Sequence, residues 1–130
     1  MTPSSMKLSV LLVDDSAVQA TTRRMILERA GYRVTVILNA QEALHLLSKQ
    51  GTQFSLVITD HIMPALTGAE FVTSLREVCQ QLPVIVLSGL AEAESEYEDL
   101  DVEFHLKPFA PEELLATVAR LIDEPMERSA

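Results

Sequence analysis

The sequence predicts a three-layer α/β domain, doubly wound around a five-stranded parallel sheet in the order 2-1-3-4-5. Three observations carry that prediction. Short apolar runs at Leu8–Val13, Leu56–Ile58 (extended by Thr59) and Val84–Leu87 read as strands buried on both faces, the pattern of a parallel sheet. Segments with apolar residues at helical spacing separate them, so strands and helices alternate and right-handed crossovers follow. The three runs end in Asp14-Asp15, Asp60 and Ser88-Gly89, and open α/β sheets form their ligand crevice at the carboxyl ends of the strands. The most apolar strands belong at the centre, which this order satisfies.

Leu8–Val13 opens the sheet. Ser16 can cap a helix over Ala17–Ala30, its hydroxyl accepting from the free amides of the first turn. Val18, Met25 and Leu27 are that helix's apolar residues, Arg23, Arg24, Glu28 and Arg29 its wet face, and Gly31 its stop. Arg33–Leu38 alternates, with Val34 and Val36 on one face, and belongs nearer the sheet edge. Asn39 can cap a second helix, about Ala40–Lys49, with Ala43, Leu44 and Leu47 inward and Gly51 at its end.

Beyond Asp60, Pro64 forbids continuing the ladder. Thr67-Gly68 turns the chain into a third helix, about Ala69–Gln80, with Phe71, Val72, Leu75 and Val78 at helical spacing and Cys79 in a packing role. Pro83 introduces the fourth strand. Leu90–Val102 then carries Glu92, Glu94, Glu96, Glu98, Asp99 and Asp101 and no basic residue. Glu92 with Glu96, and Glu94 with Glu98, are like-charge pairs four apart, which weaken a helix, so the fourth helix is expected to be shortened or mobile. Glu103–Leu106 is the last strand. Pro111–Ile122 is the last helix, with Leu114, Leu115, Val118 and Leu121 as its buried stripe. Residues 1–6 are expected to be disordered, 7–123 to form the domain, and 124–130 to be a flexible tail.

A chain of 130 residues suffices for one domain with a real core. Apolar residues make up 48% and aromatics only 5%, so that core is aliphatic. A formal charge of −9 argues against nucleic-acid binding and favours a basic or amphipathic protein partner. A single cysteine excludes an internal disulfide and fits a reducing compartment. Met1–Met6 does not read as a signal peptide and no apolar run reaches the length of a membrane span, so a cytoplasmic location without membrane contact is expected.

If the first and third strands are neighbours, Asp14, Asp15 and Asp60 converge on one small volume. Carboxylates that close repel unless protonated or bridged by a cation. Three oxygen ligands at a strand-end crevice suit a hard divalent ion, Mg2+ above all. Ser88 and Lys107 stand at the ends of the fourth and fifth strands.

Here the chain resembles the receiver (response-regulator) domain of two-component signalling, over about residues 7–123, a chemotaxis-regulator-like, flavodoxin-like fold. The matching marks are D-D after the first strand, D-x-x-M-P-x-x-x-G from Asp60 to Gly68, S-G after the fourth strand, and K-P-F from Lys107 to Phe109. The resemblance implies that Asp60 accepts a phosphoryl group from a phosphohistidine, on a sensor histidine kinase or a histidine phosphotransfer protein. It implies Mg2+ held by Asp14, Asp15, Asp60 and the backbone carbonyl of Ile62. Ser88 and Lys107 would bind the phosphoryl group, and Phe104 would move inward as the switch. The face made by the fourth crossover, last strand and last helix would meet a downstream protein. Physical chemistry agrees, because phosphoryl transfer needs in-line positioning and cations more than covalent help from the protein.

Ser88 stands where threonine is commoner in this family, and Asp99-Leu100-Asp101-Val102 replaces the usual small-residue turn, which argues against the symmetric dimer of transcription-factor receivers. Apolar Ile62 and Leu90 flank the path of an attacking water, so a long-lived phosphoryl state with slow self-hydrolysis is expected. The leading expectation is a phosphoacceptor module with no DNA-binding output domain in this chain. The alternatives are a Mg2+-dependent phosphatase, for which Ile62 stands where a general acid is needed, and a module that binds its partner unphosphorylated. Nucleotide binding fails because no Gly-rich loop follows the first strand.

Overall fold

The computed structural model describes residues 8–123; the disordered start expected at 1–6 and the tail expected at 124–130 lie outside them. Strands β1 (Ser9–Val13), β2 (Arg33–Ile37), β3 (Leu56–Asp60), β4 (Val84–Ser88) and β5 (Glu103–Leu106) form one parallel sheet in the order β2-β1-β3-β4-β5. Helices α1 (Ala17–Arg29), α2 (Ala40–Gln50), α3 (Gly68–Val78) and α4 (Pro111–Asp123) cover its two faces. The expected order is therefore observed, with β1, β3 and β4 central and buried, and β2 and β5 at the edges and half-buried.

Alternation along the buried strands divides the core in two. Leu11, Val13, Val57, Val84 and Val86 point to one face and meet Ala43 and Leu47 of α2 and Phe71, Val72 and Leu75 of α3. Val10, Leu12, Leu56, Ile58, Ile85 and Leu87 point to the other and meet Ala20 and Leu27 of α1 and Leu114, Val118 and Leu121 of α4. Both layers are almost wholly aliphatic, as the composition predicts. Cys79 packs half-buried against the first, and burial pushes its thiol pKa up, which suits a packing residue better than a nucleophile. Among the described residues, no helix is long and apolar enough to cross a membrane.

The helix starts follow the local sequence. Ser16, Asn39 and Thr67 each accept a backbone N–H with the side chain, from Gln19, Glu42 and Glu70 respectively. Glu70 also reaches back to the Thr67 N–H, completing a capping box. Gly31 takes a positive φ of 104° just beyond α1, as its role as a stop requires. On α1 the sequence reading needs correction. Val18 is 78% exposed and Met25 49%, while the buried stripe is Ala20 and Leu27. Val78 on α3 is likewise exposed.

In place of a fourth α-helix, Ala91–Tyr97 forms a 3-10 segment. Ala93 and Tyr97 face inward and the glutamates face water, so the acidic run yields a turn-like crossover rather than a full helix. Asp99 and Asp101 follow with φ of 69° and 57°, a region that aspartate tolerates better than most residues. Arg76 of α3 links the end of this stretch to the α3–β4 connection, donating to the carbonyls of Leu100 at 2.9 Å and Asp101 at 2.8 Å on one side and of Leu82 at 2.7 Å and Cys79 at 3.1 Å on the other.

Gly68 lets α3 start directly against the end of β3. A Cβ there would sit 2.7 Å from the Asp60 carbonyl oxygen and 2.9 Å from His61 Cα, and would also strike the Tyr97 hydroxyl. Backbone cannot yield as a flexible side chain does. Gly68→Ala is therefore expected to lower stability by roughly 2 kcal/mol, within the range for overpacking. Urea denaturation should show a lower midpoint at unchanged slope; an unchanged midpoint would mean that helix and strand have room to part.

Candidate functional site

The sheet register brings the polar residues together. Val13 pairs with Thr59 across β1 and β3, so Asp14 and Asp60 follow at the same level. Asp60 pairs with Leu87 across β3 and β4, which puts Ser88 one residue further on. The Lys107 backbone N–H donates to the Ser88 carbonyl at 2.8 Å, placing Lys107 at the same rim, followed by a cis bond to Pro108.

Carboxylate oxygens of Asp14, Asp15 and Asp60 lie within 4.8 Å of one another. Asp14 is fully buried and Asp60 is 4% exposed, while Asp15 is open to solvent. Asp14 Oδ1 accepts from the Ser16 backbone N–H at 2.8 Å and its Oδ2 from Arg23 Nη1 at 2.7 Å. Lys107 Nζ stands 3.0 Å from Asp60 Oδ1 and donates to Gln19 Oε1 at 3.3 Å. The Lys107–Asp60 pair is close but poorly angled, so the buried Oδ1 accepts no hydrogen bond among the described residues. Burial, reinforced by the neighbouring Asp14 carboxylate, pushes the Asp60 pKa from its ordinary 3.8 up to about 7, against the pull of Lys107. A crowded set of hard oxygen donors with one buried oxygen unsatisfied fits a divalent cation such as Mg2+.

The Ser88 hydroxyl is buried and turned onto its own loop, donating to the Leu90 carbonyl at 3.1 Å and accepting from the Leu90 N–H at 2.9 Å. Ile62 and Leu90 are exposed at the rim. Phe104 is half-buried on β5, its ring 5.7 Å from that of Tyr97. Every site residue expected from the sequence thus lies at one end of the sheet, except that Phe104 sits further back along β5, paired with Val86 and near Tyr97.

Two participants escaped the sequence reading. Arg23, assigned to the wet face of α1, turns into the crevice with its side chain 16% exposed. The signal was present, because Arg23 shares a helical stripe with the buried Ala20 and Leu27. Tyr97 is the other. Its hydroxyl lies 2.6 Å from Nδ1 of His61, the buried residue next to Asp60, and its edge meets the His61 ring at 5.6 Å. An aromatic alone in an acidic run was the available clue. His45 is exposed and His105 half-buried.

The doubly wound α/β domain thus gathers three aspartates, a buried hydroxyl and a lysine at its strand ends. The profile of the response regulator receiver domain matches residues 10–119, and the chain belongs to that family. It is 33% identical over 115 residues to the response regulator RppA of Synechocystis, covering 86% of this chain and 49% of that protein. It is 35% identical over 112 residues to the transcriptional regulatory protein YkoG of Bacillus subtilis, covering 84% and 48%. The chain thus spans about half the length of these curated relatives. The chemotaxis response regulator CheY4 of Vibrio cholerae is similar in structure, with a TM-score of 0.79, 32% identity, and 88% of this chain and 98% of that one covered. A CheY-like receiver domain from Methanospirillum hungatei superposes with a TM-score of 0.86, covering 93% and 98%; at 24% identity it speaks to the fold alone.

The raised Asp60 pKa makes a pH prediction for the metal-free protein. Between about pH 4 and 7 the folded state keeps a proton that the unfolded chain has released, so this group's contribution to stability is lost as pH rises through that window. Asp60→Asn removes the titration. Its stability relative to wild type should climb from pH 4 to pH 7 and then level off, by roughly 2–4 kcal/mol in all. Denaturant midpoints in EDTA across pH 4–8 measure this; a constant difference would place the Asp60 pKa near its ordinary value.

Proposed function

We propose that this receiver takes a phosphoryl group on Asp60 from the phosphohistidine of a histidine kinase or histidine phosphotransfer protein, in a Mg2+-dependent step. The observation that carries the reading is the buried Asp60 carboxylate, with Lys107 at 3.0 Å, the Asp14 and Asp15 carboxylates beside it, and an Oδ1 that accepts no hydrogen bond among the described residues. In the transfer, an Asp60 oxygen forms the new O–P bond while the P–N bond to imidazole breaks. The bonding pair stays on the histidine nitrogen, which then takes up a proton.

Asp14, Asp15, Asp60 and the Ile62 backbone carbonyl are the groups that would hold Mg2+. When bound, the ion supplies positive charge against the phosphoryl oxygens and the crowded carboxylates. Lys107, 3.0 Å from Asp60 Oδ1, adds a second positive charge. Before it can donate to a phosphoryl oxygen, the Ser88 hydroxyl must give up the bond it donates to the Leu90 carbonyl, an exchange of a neutral hydrogen bond for a charge-assisted one. The new charge biases Phe104 and the surface formed by Ala91–Tyr97, β5 and α4 toward a second packing, which a downstream protein reads. The chain acts as a signalling phosphoacceptor with slow self-hydrolysis rather than as an enzyme, in the cytoplasm, without contacting nucleic acid or membrane.

Incubation with a small phosphodonor and Mg2+, followed by intact mass, tests this. Wild type should gain one phosphoryl group, and neither Asp60→Asn nor wild type in EDTA should gain any. Steady turnover of assorted phosphate esters would favour a phosphatase instead. The apolar rim residues Ile62 and Leu90 cannot orient an attacking water, so the phosphorylated form should persist for minutes or longer; decay within seconds would contradict that part of the reading.

A further inference from the structure

Arg23 is the charged residue of α1 that does not face water. It lies on the stripe that Ala20 and Leu27 bury, and its side chain is 16% exposed. Nη1 is 2.7 Å from Asp14 Oδ2 and 3.7 Å from Asp60 Oδ1. Each Asp14 oxygen thereby accepts one hydrogen bond, since Oδ1 accepts from the Ser16 N–H. Asp60 Oδ1 is approached by two cations, Arg23 from α1 and Lys107 from the end of β5. The guanidinium therefore stands on carboxylates that the proposed metal site also uses.

We infer that Arg23 is the resident counter-ion of the resting crevice, and that it competes with Mg2+ for Asp14 and Asp60. This rests on the metal reading given under the proposed function. Two cations at the same oxygens repel each other, and the coupling is reciprocal: a seated Arg23 weakens Mg2+ binding, and bound Mg2+ drives the guanidinium off Asp14. The side chain has a way out, since its neighbours Gln19 and Thr22 on α1 are exposed. Arg23 thus acts as a positioning residue that sets how much Mg2+ the receiver needs before it accepts a phosphoryl group. The opposite role is a brace, in which Arg23 holds Asp14 ready for the metal. The two make opposite predictions for Mg2+ affinity.

The test is a Mg2+ titration of the full 130-residue chain at constant ionic strength, followed by the backbone amide shifts of Asp14, Asp15 and Asp60. Arg23→Met keeps an apolar stem of useful length and should bind Mg2+ roughly tenfold more tightly than wild type. Arg23→Lys should stay within about twofold of wild type, because it restores a cation there. Arg23→Gln carries the same comparison as Arg23→Met should the latter not fold. The thermal midpoint gives a second readout, with a larger gain on adding Mg2+ in Arg23→Met than in wild type. Equal or weaker Mg2+ binding in the neutral variants, with wild type binding normally, overturns the inference and leaves the metal reading intact. No Mg2+-dependent shift in wild type overturns both.

Discussion

Crowding of negative charge at one rim of the sheet is the constraint on which the rest depends. Parallel pairing of β1 with β3, in the register Val13 to Thr59, leaves Asp14 and Asp60 no choice but to be neighbours. Carboxylates within 4.8 Å repel by roughly 1–3.5 kcal/mol per pair, depending on how much water screens them. The fold absorbs this in three ways. Asp60 holds its proton to about pH 7, while Lys107 and Arg23 bring positive charge from two different elements. The two aliphatic layers elsewhere supply the stability that lets such a site exist at all.

The same rim is tied to the surface behind it. His61 follows Asp60 directly, its Nδ1 meets the Tyr97 hydroxyl, and Tyr97 packs on Phe104. A continuous chain of contacts thus runs from the acid cluster to the 3-10 crossover and β5. Gly68 makes it possible, because any side chain there would part α3 from both β3 and Tyr97. The end of the crossover is tied by Arg76, which donates to the Leu100 and Asp101 carbonyls, while Ala93 and Tyr97 are buried against the core.

Most of the architecture was legible because parallel sheets announce themselves. Uninterrupted apolar runs such as Val84–Leu87 have few other readings, and acids at the ends of two of them marked the crevice. The errors fall where sequence periodicity is ambiguous. On α1, apolar Val18 and Met25 face water while Arg23 faces inward, because electrostatic demand from Asp14 and Asp60 overrides hydrophobic patterning there. In the fourth crossover the like-charge pairs correctly argued against a good helix. The hydrogen bond between Tyr97 and His61 joins residues 36 apart in sequence, which no local pattern encodes.

The central claim is that Asp60 is a strained carboxylate waiting for a cation. Carbon NMR of its labelled carboxyl group, titrated without and then with Mg2+, addresses this most directly. The account predicts a midpoint near 7 in the metal-free protein that falls well below it once the ion is present. A midpoint near 3.8 in both conditions would contradict it.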